Sequence, residues 1–114
     1  MVTVNLKDRI KNDTFSSVLF TYQDNLGTPI DITGAELKVQ FRFRNKTGRV
    51  VKEVSDGLGI TITNATAGEF KIDEFTPVDW QVDCYYYDVQ MTLNGEIKTY
   101  VGGKVKVIQD VTNG

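Results

Sequence analysis

The side chains that could do chemistry are few, and their spacing serves it poorly. Histidine is absent from the 114 residues, which removes the commonest general base and metal ligand. Ser16, Ser17 and Ser55 have no basic partner at a spacing that would activate a hydroxyl. Asp73 and Glu74 are adjacent, so on a strand their carboxylates point to opposite faces. Asp24 and Asp31 flank one loop and could lend oxygens to Ca²⁺, but acids in such loops ordinarily hold their own turns. Cys84 is the single cysteine. No internal disulfide can form, and no adjacent Lys or Arg lowers the thiol's pKa. Phosphate-loop, zinc and EF-hand spacings are missing. The expectation is a protein that is no enzyme, with no catalytic residues, no cofactor and no metal.

Binding chemistry has more to work with. Trp80, Tyr86 and Tyr100 could form an aromatic platform for sugar rings, since strand parity turns Tyr86 and Tyr100 outward. The rival reading is that they cover a neighbouring strand or an assembly interface, where Tyr is common. Arg42, Arg44, Lys46 and Arg49 make a small basic hairpin tip. Four charges bind nucleic acid only weakly and without specificity, and such a tip is more often a solvated turn. Tyr86, Tyr100, Arg42 and Arg44 are therefore the candidate interaction surface. Asn12, Asn45 and Asn64 each open an Asn-x-Ser/Thr triplet. The segment MVTVNLKDRI lacks the apolar core of a signal peptide, so these read as turn residues of a chain made in a reducing cytoplasm.

Strands must position these groups. From Cys84 to Ile108 the chain reads as two long strands around Asn94-Gly95. Tyr85, Tyr87, Val89 and Met91 face a core on one arm; Ile97, Thr99, Val101, Val105 and Val107 do so on the other. A two-residue turn would set Met91 against Lys98. A three-residue loop, Leu93-Asn94-Gly95 with a bulge, pairs Met91 with Ile97 and is the expected turn. Ala35, Leu37, Val39, Phe41 and Phe43 alternate with Glu36, Lys38, Gln40, Arg42 and Arg44, which places Val39 and Phe41 in the core. Val2 to Leu6, Thr14 to Tyr22, Arg49 to Val54, Leu58 to Ile62 and Phe70 to Ile72 supply further short strands. Thr76-Pro77 can start one helical turn, with Trp80 plugging the core.

Turn signals every ~8–12 residues fit a β-sandwich or barrel. The expected fold is a single all-β domain over residues 1–114, an immunoglobulin-like antiparallel sandwich of about eight or nine strands. A jelly roll or small barrel is the alternative. Thirteen basic against 15 acidic residues give a net charge of −2. That balance carries no nucleic-acid or membrane-surface footprint, and no apolar run approaches the ~18 residues of a membrane span.

Several short motifs stand in a familiar order. Lys11-Asn12-Asp13-Thr14-Phe15 is followed by Pro29-Ile30-Asp31-Ile32-Thr33-Gly34 and then Gln40-Phe41-Arg42. Gly68-Glu69-Phe70, Thr76 with Trp80, Tyr87-Asp88-Val89-Gln90-Met91-Thr92 and Asp110-Val111-Thr112 come later. The order is similar to that of small bacteriophage tail proteins, including the N-terminal domain of baseplate upper proteins, over nearly the whole chain. Asn12 stands where that family usually has Gly, and the long continuation of baseplate upper proteins does not follow Val111-Thr112. The resemblance implies an immunoglobulin-like virion building block of the tail or baseplate, made in the host cytoplasm. Its partners would be other virion proteins or its own copies, with no nucleic acid and no membrane. The alternative function is a carbohydrate- or receptor-binding module.

Overall fold

The computed structural model describes residues 2–11, 13–24, 26–77 and 80–109. Its strands are β1 (Val2–Thr3), β2 (Arg9–Ile10), β3 (Val18–Thr21), β4 (Glu36–Phe43), β5 (Val50–Asp56), β6 (Gly59–Asn64), β7 (Glu69–Ile72), β8 (Asp83–Leu93) and β9 (Glu96–Ile108). A 3₁₀ turn, Ala65–Ala67, joins β6 to β7. All strands belong to one sheet ordered β1-β9-β8-β4-β5-β6-β7-β3, with β2 also on β9. The sheet curls into a half-barrel. It is mixed: β1 and β2 run parallel to β9, and β6 runs parallel to β5. The expectation of a purely antiparallel arrangement is corrected by these three pairings.

The β5–β6 pairing has a local cause. Ser55 and Leu58 exchange backbone hydrogen bonds of 3.1 and 2.8 Å. The chain thus coils once and continues in the same direction instead of turning back as a hairpin. That coil carries it from one wing of the sheet, β9-β8-β4-β5, into the other, β6-β7-β3. Apolar side chains of the two wings then meet across the core. Phe20 on β3 lies 6.3 Å from the Tyr87 ring on β8, and Phe15 lies 5.6 Å from Phe41 on β4. Trp80 is buried and stacks on Tyr85 at 4.6 Å, as a plug at one end. The helical turn expected from Thr76 to Trp80 includes residues 78 and 79, which lie outside the described residues.

The long hairpin is present, but its turn is not the expected one. Leu93 pairs with Glu96, leaving a two-residue Asn94-Gly95 turn with φ of 53° and 78°. Both angles are positive, as a type I′ turn demands, and Asn-Gly is the pair that tolerates them best. Met91 therefore does face Lys98. The register is repaired further along the strand. Gln90 pairs with Thr99 and Val89 with Val101, so β9 carries one extra residue, Tyr100, in a bulge. Beyond it Tyr85 faces Val105 and the apolar faces coincide. Ile97, expected in the core, lies on the tip beyond it and is 64% exposed.

Tyr87 ties the first strand to this hairpin. Its hydroxyl donates to the Val4 carbonyl at 2.6 Å. Burial pushes its phenol up to about 12. In the unfolded chain the phenol ionises near pH ~10. The neutral form is the one the fold favours, so this contribution is complete below that pH and is lost as pH rises through the folded value. Urea unfolding of the wild type and Tyr87→Phe, compared from pH ~9 to ~12, should show the wild type losing more stability than the variant. Equal pH slopes would contradict the assignment.

Candidate functional site

The outer face of the first wing carries a groove built by register. Arg42 on β4 pairs with Tyr86 on β8, and Tyr86 with Lys104 on β9. The next row in the same direction along β8 is Gln40, Asp88 and Gly102. Residues two apart share a face, so these two rows lie side by side. Gly102 contributes no side chain to its row. The hollow left beside Tyr86 and Asp88 measures about 240 Å³. Thr3 and Asn5 close one side of it, and Lys46, from the β4–β5 turn, reaches the other.

Hydrogen bonds fix the charged wall. Arg42 Nη1 donates to the Gly48 carbonyl at 2.8 Å, and Nη2 donates to Gln40 Oε1 at 2.9 Å. Gln40 Nε2 donates in turn to Glu53 Oε2 at 2.7 Å. The guanidinium is held in place with N–H groups to spare, since Arg has five. The ion pairs among the described residues are Arg44–Asp83 and Lys98–Glu96, so Arg42, Lys46 and Lys104 engage no carboxylate there. Asn5 Oδ1 accepts from the Lys104 backbone N–H at 3.2 Å, joining the segment after β1 to the rim.

The structure brings together two of the four expected surface residues, Tyr86 and Arg42. Arg44 is elsewhere: its Nε donates to Asp83 Oδ2 at 2.8 Å, and its guanidinium lies 5.0 Å over the Phe43 ring. That hydrogen bond, with one from the Cys84 N–H, holds the Asp83 carboxyl below its usual range. Arg49 packs over the same ring at 4.9 Å. Tyr100 is not an outward platform residue. The bulge re-aims it, its ring meets Tyr22 edge-on at 4.5 Å, and its hydroxyl donates to the Thr21 carbonyl at 2.6 Å. It is a seam between β9 and β3, and burial pushes its phenol up. With Trp80 in the core as well, the platform of three aromatics reduces to Tyr86.

Sequence reasoning missed Asp88, Gly102 and Lys104. One signal was available: two consecutive glycines inside a strand mark a close approach or a missing side chain. Gly103 provides the approach, since a Cβ there would sit 2.1 Å from the Val4 carbonyl oxygen. Gly102 provides the hollow.

Of the carboxylates weighed for metal or catalysis, Asp24 and Asp31 serve their own loops and Asp73 bonds across to β6. Asp24 Oδ1 accepts from the N–H groups of Leu26 and Thr28 at 2.9 and 3.0 Å. Asp31 Oδ1 accepts from the Thr33 N–H at 2.8 Å and from its hydroxyl, which holds the Asp31 carboxyl below its usual range. Asp73 accepts from the Thr61 hydroxyl at 2.7 Å. Among the described residues no three His, Cys, Asp or Glu side chains gather as a metal site, and no helix is long and apolar enough to cross a membrane. What the outer face offers is non-covalent: one aromatic face, three cations and one free acceptor around a ring-sized hollow. No protein-family model matches the sequence, and no curated protein matches it.

Proposed function

We propose that the protein is a non-enzymatic structural component of a bacteriophage or prophage virion. It would be made in the bacterial cytoplasm, placed in the tail or baseplate, and would work through contacts with other virion proteins or its own copies. The order of motifs from Lys11 to Thr112 supports the assignment. So does an immunoglobulin-like reading of the half-barrel. In that reading the wing β9-β8-β4-β5 would be strands G, F, C and C′ of a sandwich, and β6-β7-β3 would be D, E and B. Tyr85, near the start of β8, donates its hydroxyl to the Gln81 carbonyl at 2.8 Å, the arrangement of a tyrosine corner.

The observation that carries the assembly role is the edge of β3, open at Leu19. Among the described residues this strand pairs only with β7. The Tyr22 N–H donates to Gly68 O at 2.8 Å, so ladder alternation turns the backbone groups of Leu19 to the open side, while the Thr21 carbonyl on that side is taken by the Tyr100 hydroxyl. Its sequence, VLFT, has no charge and no proline, the usual protections of an edge. Leu19 is 59% exposed. Such an edge is suited to accepting a strand from another chain.

Light scattering on the purified chain, alone and with tail proteins of the same particle, tests the assignment. Association is the expected result. Leu19→Lys should abolish it while changing stability by less than about 0.5 kcal/mol, as is usual at an exposed site. A strict monomer that binds no virion protein would overturn the assembly role. A second reading, a carbohydrate- or receptor-binding module, is favoured by the groove at Tyr86.

A further inference from the structure

We infer that the groove between β4, β8 and β9 binds a single sugar ring that carries a negative group, either a carboxylate or a phosphate. The inference rests on the second reading of function and names its ligand class. Tyr86 lies in the floor row between Arg42 and Lys104. A pyranose needs an apolar surface for its C–H face, and the ring of Tyr86 provides one on an otherwise polar face. Arg42 is already fixed by Gly48 O and Gln40 Oε1. Little side-chain freedom is therefore lost when it takes a ligand oxygen, and preorganisation of this kind raises affinity. Charge-assisted bonds from guanidinium to carboxylate or phosphate are among the strongest in proteins. Lys46 and Lys104 add charge at the rim.

Asp88 decides between a sugar and the other anions that cations attract. It stands in the row beside Gly102, at the hollow. A carboxylate accepts hydrogen bonds and donates none. An acidic side chain from a protein partner would bring it only repulsion. A sugar brings hydroxyl donors for Asp88 together with a negative group for Arg42. The volume agrees with one ring: about 240 Å³ is below the roughly 300–1,000 Å³ of drug-sized pockets. The rest of a saccharide chain would lie along the open outer face.

Amide shifts of the ¹⁵N-labelled full chain test this. The probes are trigalacturonate, glucose-6-phosphate, neutral galactotriose, inorganic phosphate and a short glutamate peptide. One or both acidic sugars should shift Tyr86, Asp88, Gly102 and Lys104 saturably, and which of the two binds identifies the anionic group. Arg42→Gln, which removes a charge-assisted contact, and Tyr86→Ala, which removes the apolar face, should each weaken that binding about tenfold, with the core resonances unchanged. Galactotriose binding as well as the acidic sugars would overturn the inference and leave the binding-module reading standing. No sugar binding at all would overturn the inference and the carbohydrate half of the second reading. Phosphate binding equally tightly and ignoring Tyr86→Ala would reduce the groove to an ion site. A glutamate peptide binding more tightly than any sugar would make it a protein-docking surface, again overturning the inference.

Discussion

Phe41→Ala should cost about 3–5 kcal/mol of folding stability, the range for removing a buried aromatic ring. Phe41 is 0% exposed, in the middle of β4. Its ring centroid lies 5.6 Å from Phe15, 5.5 Å from Trp80, and 5.9 Å from both Phe75 and Tyr87. Aromatic pairs add about 0.5–1.5 kcal/mol beyond area burial, so the loss should fall toward the upper end. These neighbours come from separate parts of the chain, and a cavity at their centre cannot close without moving several of them. Denaturant unfolding should show a lower midpoint with an unchanged slope. A change below about 0.5 kcal/mol, typical of exposed positions, would mean that β4 presents its other face to the core.

That prediction depends on something the sequence states plainly. From Ala35 to Phe43 alternation is strict, and a strand half-buried in a sheet can satisfy such a pattern in only one way. The long hairpin was legible for the same reason. Its turn was not, because a three-residue loop is favoured only if register must be correct from the first pair onward. The chain instead keeps the favourable Asn94-Gly95 turn and corrects the register with a bulge at Tyr100. The same bulge re-aims Tyr100, so one local choice altered both the turn and the candidate site. The parallel pairs were beyond local reading. β1 meets β9 across nearly the whole chain, as in Val2 with Val101, and nothing in a two-residue strand announces a partner so distant. The groove was half legible. Tyr86 and Arg42 follow from parity, whereas Asp88 and Lys104 acquire meaning only once Gly102 is seen to open the space between them.

Gly68→Ala should cost about 2–5 kcal/mol. The figure combines about 1–2 kcal/mol for a side chain at positive φ with about 1–3 kcal/mol for overpacking. Gly68 has φ of 69°, and a Cβ would sit 2.6 Å from the Ile30 carbonyl oxygen and 2.7 Å from that of Tyr22. Both atoms are backbone, so neither can rotate away. Two hydrogen bonds hold them there: Tyr22 N–H to Gly68 O at 2.8 Å and Ile30 N–H to Tyr22 O at 2.9 Å. Making room must stretch these bonds. Tyr22 also forms the seam with Tyr100, so strain at Gly68 should loosen the contact between the wings. Hydrogen exchange should show lost protection at Tyr22 and Ile30. Gly95→Ala is the control, because φ there is 78° with nothing within 4 Å of the added carbon. It isolates the conformational cost of about 1–2 kcal/mol. If the two variants proved equally stable, the close approach of the Tyr22 and Ile30 backbones to Gly68 would be refuted. A larger loss at Gly68, with the exchange confined to β3 and its loop, would locate the weakest joint of the half-barrel beside its open edge.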